Sequence, residues 1–216
     1  FSCLTRATGD QLMNINASII DQRLIGIMAD IAEPAAATLN IKDESRLKSL
    51  AFLFMCVRTL LDLDPDEVFD CLTEGSGDFG VDALHLTEEV DGEFYVTVFQ
   101  AKYNRNLSAN GNFPANGIDS LIIAIRHIFD PSSQLGDVNE RLRYRVEEVR
   151  SLIRDGAIPR IRVIACNNGL SWNQDAQNAI ERAQFGDQVI WEHMSHDDLV
   201  GIIQQTKTVD SVNPSK

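Results

Sequence analysis

The stretch "VDALHLTEEVDGEFYVTVFQAKY", residues 81–103, decides the fold class. Its two ends, "VDALHL" and "FYVTVFQAKY", are rich in the β-branched and aromatic residues that favour strands. Between them Asp91-Gly92 is a strong signal for a hairpin turn. Two antiparallel strands therefore stand in the middle of the chain, and on both sides the hydrophobic period changes to that of helices.

Upstream, Asp10 to Glu33 reads as an amphipathic helix, with Ile15, Ile19, Ile20, Leu24, Ile27, Met28 and Ile31 at helical spacing and Pro34 after the last turn. A second helix starts near Asp43 or Glu44, where acids suit the positive end of the helix dipole, and runs to about Leu61. Pro65 opens a short helical segment after the turn "DLDPDE". Downstream, Asn104 to Asn116 reads as a surface loop, followed by helices over Ile118–Phe129 and Val138–Asp155. Arg160 to Asn168 is a buried strand, and Ser171–Phe185 a helix with Ser171 as its N-cap. "QVIWEH" gives a last strand and "SHDDLVGIIQQ" a last helix, with Ser195 or His196 near its cap. This order predicts an α/β fold, a mixed β-sheet flanked by helices, as a single domain over 1–216. Residues 1–40 form a helical extension of it and 206–216 a frayed tail.

The chain of 216 residues can bury a core without staples. Its cysteines, Cys3, Cys56, Cys71 and Cys166, form no C-x-x-C pair, which favours thiols in a reducing compartment. The longest apolar run, Leu50 to Val57, is far too short to cross a bilayer. With no export leader in view, a cytoplasmic location without membrane partners is expected. The start at Phe1 fits a fragment of a longer protein with a further C-terminal domain. A net charge of −13 argues against a nucleic-acid partner, but the segment from Ala101 to Arg162 carries a surplus of three positive charges.

The candidate site comes from the strand pair. Asp82 stands among Val81, Ala83 and Leu84, and a carboxylate in apolar company needs a cation or hydrogen bonds. Gln100 and Lys102 lie two apart on the partner strand, hence on one face with Val96 and Val98. Asp82, the Gln100 side-chain oxygen and the Ala101 backbone carbonyl are hard oxygen ligands suited to Mg2+, with Mn2+ as a substitute. Lys102 would act on an attacking water and on phosphorane charge. Gly75, Gly77 and Gly80 would let a large substrate approach the turn ahead of Asp82.

These residues carry a resemblance. "GSGDFGVDAL" followed by "VFQAKY" resembles the Asp…Gln-x-Lys variant of the PD-(D/E)XK nuclease superfamily, as in Mrr-like restriction endonucleases. With "FQAKYN", "EEVRSLIRDGAIPRIRVIACNNG" and "SHDDLV", the layout is similar to the N-terminal nuclease-like domain of abortive-infection phage-resistance (AIPR) proteins, over roughly Asp43 to Val200. The resemblance implies a restriction-endonuclease-like fold and a Mg2+-dependent nuclease in phage defence. It implies a nucleic-acid partner, DNA ahead of RNA, and is compatible with a homodimer. Asp82 and Gln100 are then metal ligands and Lys102 the catalytic lysine. Related nucleases carry a further glutamate on the preceding helix; here the centre of that helix holds no acid, and Glu44 at its start is the candidate, ahead of Asp43 and Glu67. The alternative is a catalytically weak or inactive nuclease-fold module that binds nucleic acid or docks a partner.

Plainer readings stand beside these. Asp82 can cap the glycine turn, Asp78 can form it, and Glu44 can serve only the helix dipole. Gln100 and Lys102 can end in solvent. Arg141, Arg143, Arg145 and Arg150 share a helix with Glu140, Glu147 and Glu148, which favours a salt-bridged face over phosphate contacts. His193 and His196 straddle a strand–helix junction, a poor arrangement for zinc. Asn112-Phe113-Pro114 is either a substrate-contacting loop or a plain one.

Overall fold

The computed structural model describes residues 13–75, 77–108 and 110–212, with backbone only for 206–212. The fold is α/β, a four-stranded mixed sheet with helices on both faces. Strand β1 (Ala83–Leu86) pairs antiparallel with β2 (Glu93–Lys102) through a turn in which Asp91 and Gly92 both have positive φ, 55° and 81°. That double left-handed turn matches the twist of the strands, which is why Asp-Gly is read there. β2 then runs parallel to β3 (Ile158–Asn167), and β3 parallel to β4 (Val189–Met194), so the spatial order is the chain order. Parallel neighbours need long crossovers, and helices supply them. They are α4 (Ala115–Ile128) and α5 (Glu140–Arg154) between β2 and β3, and α6 (Gln174–Ala183) between β3 and β4.

The other face is covered by α1 (Ile15–Thr38), α2 (Glu44–Leu61), α3 (Pro65–Cys71) and α7 (His196–Val212). Strand alternation divides the core into two. Ala83, Phe99, Ile164 and Cys166 face α1, α2 and α7, whereas Leu84, Val96, Val98, Val163 and Ala165 face α4–α6. Leu50 to Val57 of α2 are buried without interruption. A helix apolar all round has no solvent side, and α2 accordingly contacts α1, α3, α7 and β2. Asp43 starts it by accepting the Arg46 amide, and Asp62 ends it in the left-handed conformation. Among the described residues no helix is long and apolar enough to cross a membrane, and Cys56, Cys71 and Cys166 are buried free thiols.

Several boundaries differ from expectation. The first helix begins at Ile15, capped by Asn14, and continues through Pro34 to Thr38, because Ile31 and Ala35 on either side of the proline are both buried. Burial of that flank outweighs the hydrogen bond that proline cannot donate. Asn173, not Ser171, caps α6 by accepting the Ala176 amide, while the Ser171 carbonyl takes the Asn112 side chain. The presumed tail is helical to Val212; residues 1–12 and 213–216 lie outside the described residues.

Leu50 is fully buried at the centre of the α2 layer. Leu50→Ala is expected to lower the unfolding free energy by about 2–5 kcal/mol in urea denaturation, whereas Ile25→Ala on the exposed side of α1 changes it by less than about 0.5 kcal/mol.

Candidate active site

The site lies where β1 begins beside the end of β2. Leu72 bridges Ala83, the Thr73 amide donates to the Asp82 carbonyl at 3.0 Å, and the Thr73 hydroxyl donates to the Val81 carbonyl at 2.6 Å. This short segment clamps the outer edge of residues 81–83. On the inner edge the Asp82 amide donates to the Phe99 carbonyl at 2.8 Å. Asp82 Oδ2 accepts the Ala101 amide at 2.7 Å. With Ala83 opposite Phe99, that amide would otherwise seek a further carbonyl of β1; the chain has turned away there, and the carboxylate takes its place. One oxygen of Asp82 is thus committed, to the edge of β2 rather than to the glycine turn that a capping role predicts. The Ala101 carbonyl points to the same side of β2 as its amide, by ladder alternation.

Gln100, 2 % exposed, lies one residue beyond the last β1–β2 pair, Ala83 with Phe99; the Asp82 amide also turns to the Phe99 carbonyl, so the register does not carry on to set Asp82 opposite Gln100. Its amide spans two glycines: a Cβ at Gly80 would lie 2.7 Å from Nε2, and one at Gly117 would lie 2.6 Å from Oε1. Oε1 is buried without a partner. A half-turn of the amide exchanges oxygen and nitrogen at constant shape, so either end can present the oxygen. The glycines of the turn serve the protein itself rather than a large substrate. Gly77 lies against the Asp137 carbonyl and Gly80 against Gln100, both with positive φ. Asp78 does form the turn, accepting the Gly80 amide at 2.8 Å.

Lys102 is exposed at the end of β2, on the Gln100 face by alternation, and its charge acts on Asp82. Burial raises the Asp82 carboxyl to about 6; Lys102 and the Ala101 amide oppose that rise, and Asp78 adds to it. A second carboxyl shares this field. Burial and then the Asp82 charge raise Glu74 to about 7, against the pull of Arg46 and Lys102. A cleft of about 450 Å³ opens beside Glu74, lined also by Arg46, Asn40, Gly75, Asn139 and Glu140. Glu44 is exposed in the first turn of α2 and is not among the charges acting on either carboxyl. Glu74 was missed because a loop acid has no periodicity. Its only signal is position, at the far end of a glycine turn that folds back on Asp82.

The other candidates are used differently. Arg141 donates to the Phe69 and Leu72 carbonyls, Arg145 to that of Asp70, and Arg150 to those of His127 and Ile128. They cap the ends of α3 and α4, and Arg143 donates to the Gly136 carbonyl. The salt-bridged face expected of this helix is present as well: Arg145 pairs with Glu148 at 2.9 Å, and Arg150 and Arg154 pair with Glu147 at 3.8 and 3.4 Å. His196 pairs with Asp197 at 2.7 Å, whereas His193 lies against the Phe113 and Trp172 rings. Their surroundings differ too much for one zinc centre.

Among the described residues no three His, Cys, Asp or Glu side chains group as a metal centre. The groups whose chemistry suits a hard cation are the Asp82 and Glu74 carboxylates, the partnerless Gln100 Oε1, which lies toward Gly117, and the Ala101 carbonyl. No family model, curated protein or solved structure matches this chain.

Asp82 and Glu74 both hold their protons to higher pH folded than unfolded. These two carboxyls bind more protons in the folded chain between about pH 4 and 7, so their contribution to stability falls as pH rises through that window, while His193, held down to about 4 by burial, contributes with the opposite sign. Urea unfolding at pH 5 and pH 8 isolates the carboxyl: wild type is expected to lose more stability, or gain less, between the two than Asp82→Asn does.

Proposed function

We propose that this chain is a Mg2+-dependent nuclease that hydrolyses phosphodiester bonds of nucleic acid, DNA ahead of RNA, in phage defence. In this reading the fold is restriction-endonuclease-like and akin to the nuclease-like domain of AIPR proteins. The observation that carries it is the meeting of Asp82, Glu74 and the Lys102 charge at one end of β2, where Asp82 holds the Ala101 amide.

Asp82 and Gln100 would hold the ion, with the Ala101 carbonyl beside them. Magnesium, when bound, supplies Lewis acidity toward the phosphate and acidifies its own water. Asp82 does its part as the carboxylate, which its raised pKa delays to about pH 6. Lys102 places an ammonium where water attacks phosphorus and negative charge builds on the phosphoryl oxygens. Water gives up a proton to solvent as its oxygen bonds phosphorus, the bond to the leaving sugar oxygen breaks, and that oxygen takes up a proton from solvent.

Plasmid and single-stranded DNA incubated with Mg2+ or Mn2+ test the reading. Lys102→Ala is expected to slow cleavage by about 10²–10³-fold, the scale of losing one charge-stabilising donor. Unchanged cleavage by this variant would discard the mechanism. Calorimetry should show Mg2+ affinity rising between pH 5 and 7 as Asp82 loses its proton.

One observation favours a nuclease-fold module without turnover: an Asp82 oxygen is already committed to the Ala101 amide. Nucleic-acid affinity indifferent to both metal and Lys102 is the signature of that second reading.

A further inference from the structure

The outer helical layer holds a cavity that the candidate active site does not use. It has a volume of about 350 Å³ and lies between α1, α2 and α3. Ile27, Ile31, Phe54 and Phe69 line it, and the two rings meet at a centroid distance of 5.5 Å. Ile31 and Phe54 are buried, which makes the floor apolar. Three charged side chains from three helices complete the wall: Asp30 of α1, Arg58 of α2 and Asp66 of α3. Arg46, in the cleft beside Glu74, stands more than three turns back along α2, roughly 18 Å away. A space of this size falls at the small end of ligand pockets, roughly 300–1,000 Å³.

The charges on this wall do not satisfy one another. Arg58 forms no ion pair with Asp30 or Asp66, and none of the three side chains hydrogen-bonds to a described residue. A further acceptor belongs to the same wall. Pro34, one turn after Asp30 in α1, also lines the cavity and has no N–H to give the Asp30 carbonyl. That carbonyl is left to a donor from outside the helix. Two carboxylates and a carbonyl call for cationic donors, and one guanidinium calls for a carboxylate. The three side chains sum to one negative charge, so a ligand that neutralises them all carries two cations and one anion. Between its charged ends it needs an apolar stem to lie on the rings. A basic α-amino acid has this set: an α-ammonium, an α-carboxylate, a methylene stem and a terminal cation.

We infer that the cavity between α1, α2 and α3 binds a basic α-amino acid, arginine or lysine. Arg58 and Asp66 stand on either side of the short turn between α2 and α3, so they take the neighbouring α-carboxylate and α-ammonium. Asp30, on the facing helix, takes the terminal cation with its carboxylate and its carbonyl. Phe54 and Phe69 carry the stem and add a cation–π attraction.

Calorimetry on the whole chain at neutral pH tests this with L-arginine and L-lysine. The comparison ligands are norleucine, which lacks the terminal cation, and agmatine, which lacks the α-carboxylate. Arginine and lysine are expected to bind with saturation, and norleucine and agmatine about tenfold more weakly, the scale of one charge-assisted hydrogen bond. Arg58→Gln is expected to weaken arginine about tenfold and leave agmatine unchanged, whereas Asp30→Asn weakens both. Both side chains are exposed, so the variants are expected to unfold at the wild-type temperature. No saturable binding of either amino acid overturns the proposal. So does arginine binding that both variants leave unchanged, or norleucine binding as tight as arginine. Neither variant touches the groups at Asp82 and Lys102, so the outcome is independent of the nuclease reading.

Discussion

The hydrogen bond from the Ala101 amide to Asp82 Oδ2 holds the candidate site together. It closes the edge of β2 where β1 runs out, and it places a carboxylate in a pocket only 7 % exposed. A buried carboxylate is costly unless several groups share its charge. One amide and one exposed ammonium do not fully compensate, which is why the Asp82 carboxyl ends near pH 6 rather than below its ordinary value. The same shortfall passes to Glu74, which titrates against an already crowded field.

The shape of the corner follows from what the surrounding helices leave out. Gly117 sits inside α4, where alanine would favour the helix by about 1 kcal/mol, but a Cβ there would meet both the Gln100 amide and the Phe113 ring. Gly80 gives way on the other side of the same amide. Helix propensity and turn strain have both yielded to the room that one glutamine needs. Cation placement follows a similar economy. The arginines of α5 spend their donors on carbonyls at the ends of α3 and α4, which fixes the frame and leaves Lys102 and Arg46 as the positive charges that act on the carboxyl pair.

Behind the corner, the triad of Tyr103, Asp21 and Lys48 ties the end of β2 to α1 and α2. The Tyr103 hydroxyl donates to the Asp21 carboxylate, and the Lys48 ammonium pairs with that carboxylate at 2.6 Å while lying over the Tyr103 ring. Tyr103 immediately follows Lys102, so this anchor limits the movement of the lysine's backbone. The anchor fixes the end of β2, whereas Glu74 and Asp82 stand on the segment that leads into β1.

Local pattern was enough for much of this. Alternation through "FYVTVFQAKY" placed Gln100 and Lys102 on one face, Asp91-Gly92 turned the hairpin, Asp43 capped α2, and Asp82 stood out as an acid in apolar company. Such features depend on dihedral preferences and on periods of two or 3.6 residues, which a single chain segment carries within itself. Glu74 beside Asp82, the exposure of Glu44, the carbonyl caps of Arg141 and Arg150, and the partnerless atoms of Asn167 and His193 were decided by tertiary structure alone. Each depends on which strand lies parallel to which, and on how far a side chain is taken from water. Those are long-range facts, set by the packing of residues up to 181 positions apart, as with Asn16 and Asp197, and no local period encodes them.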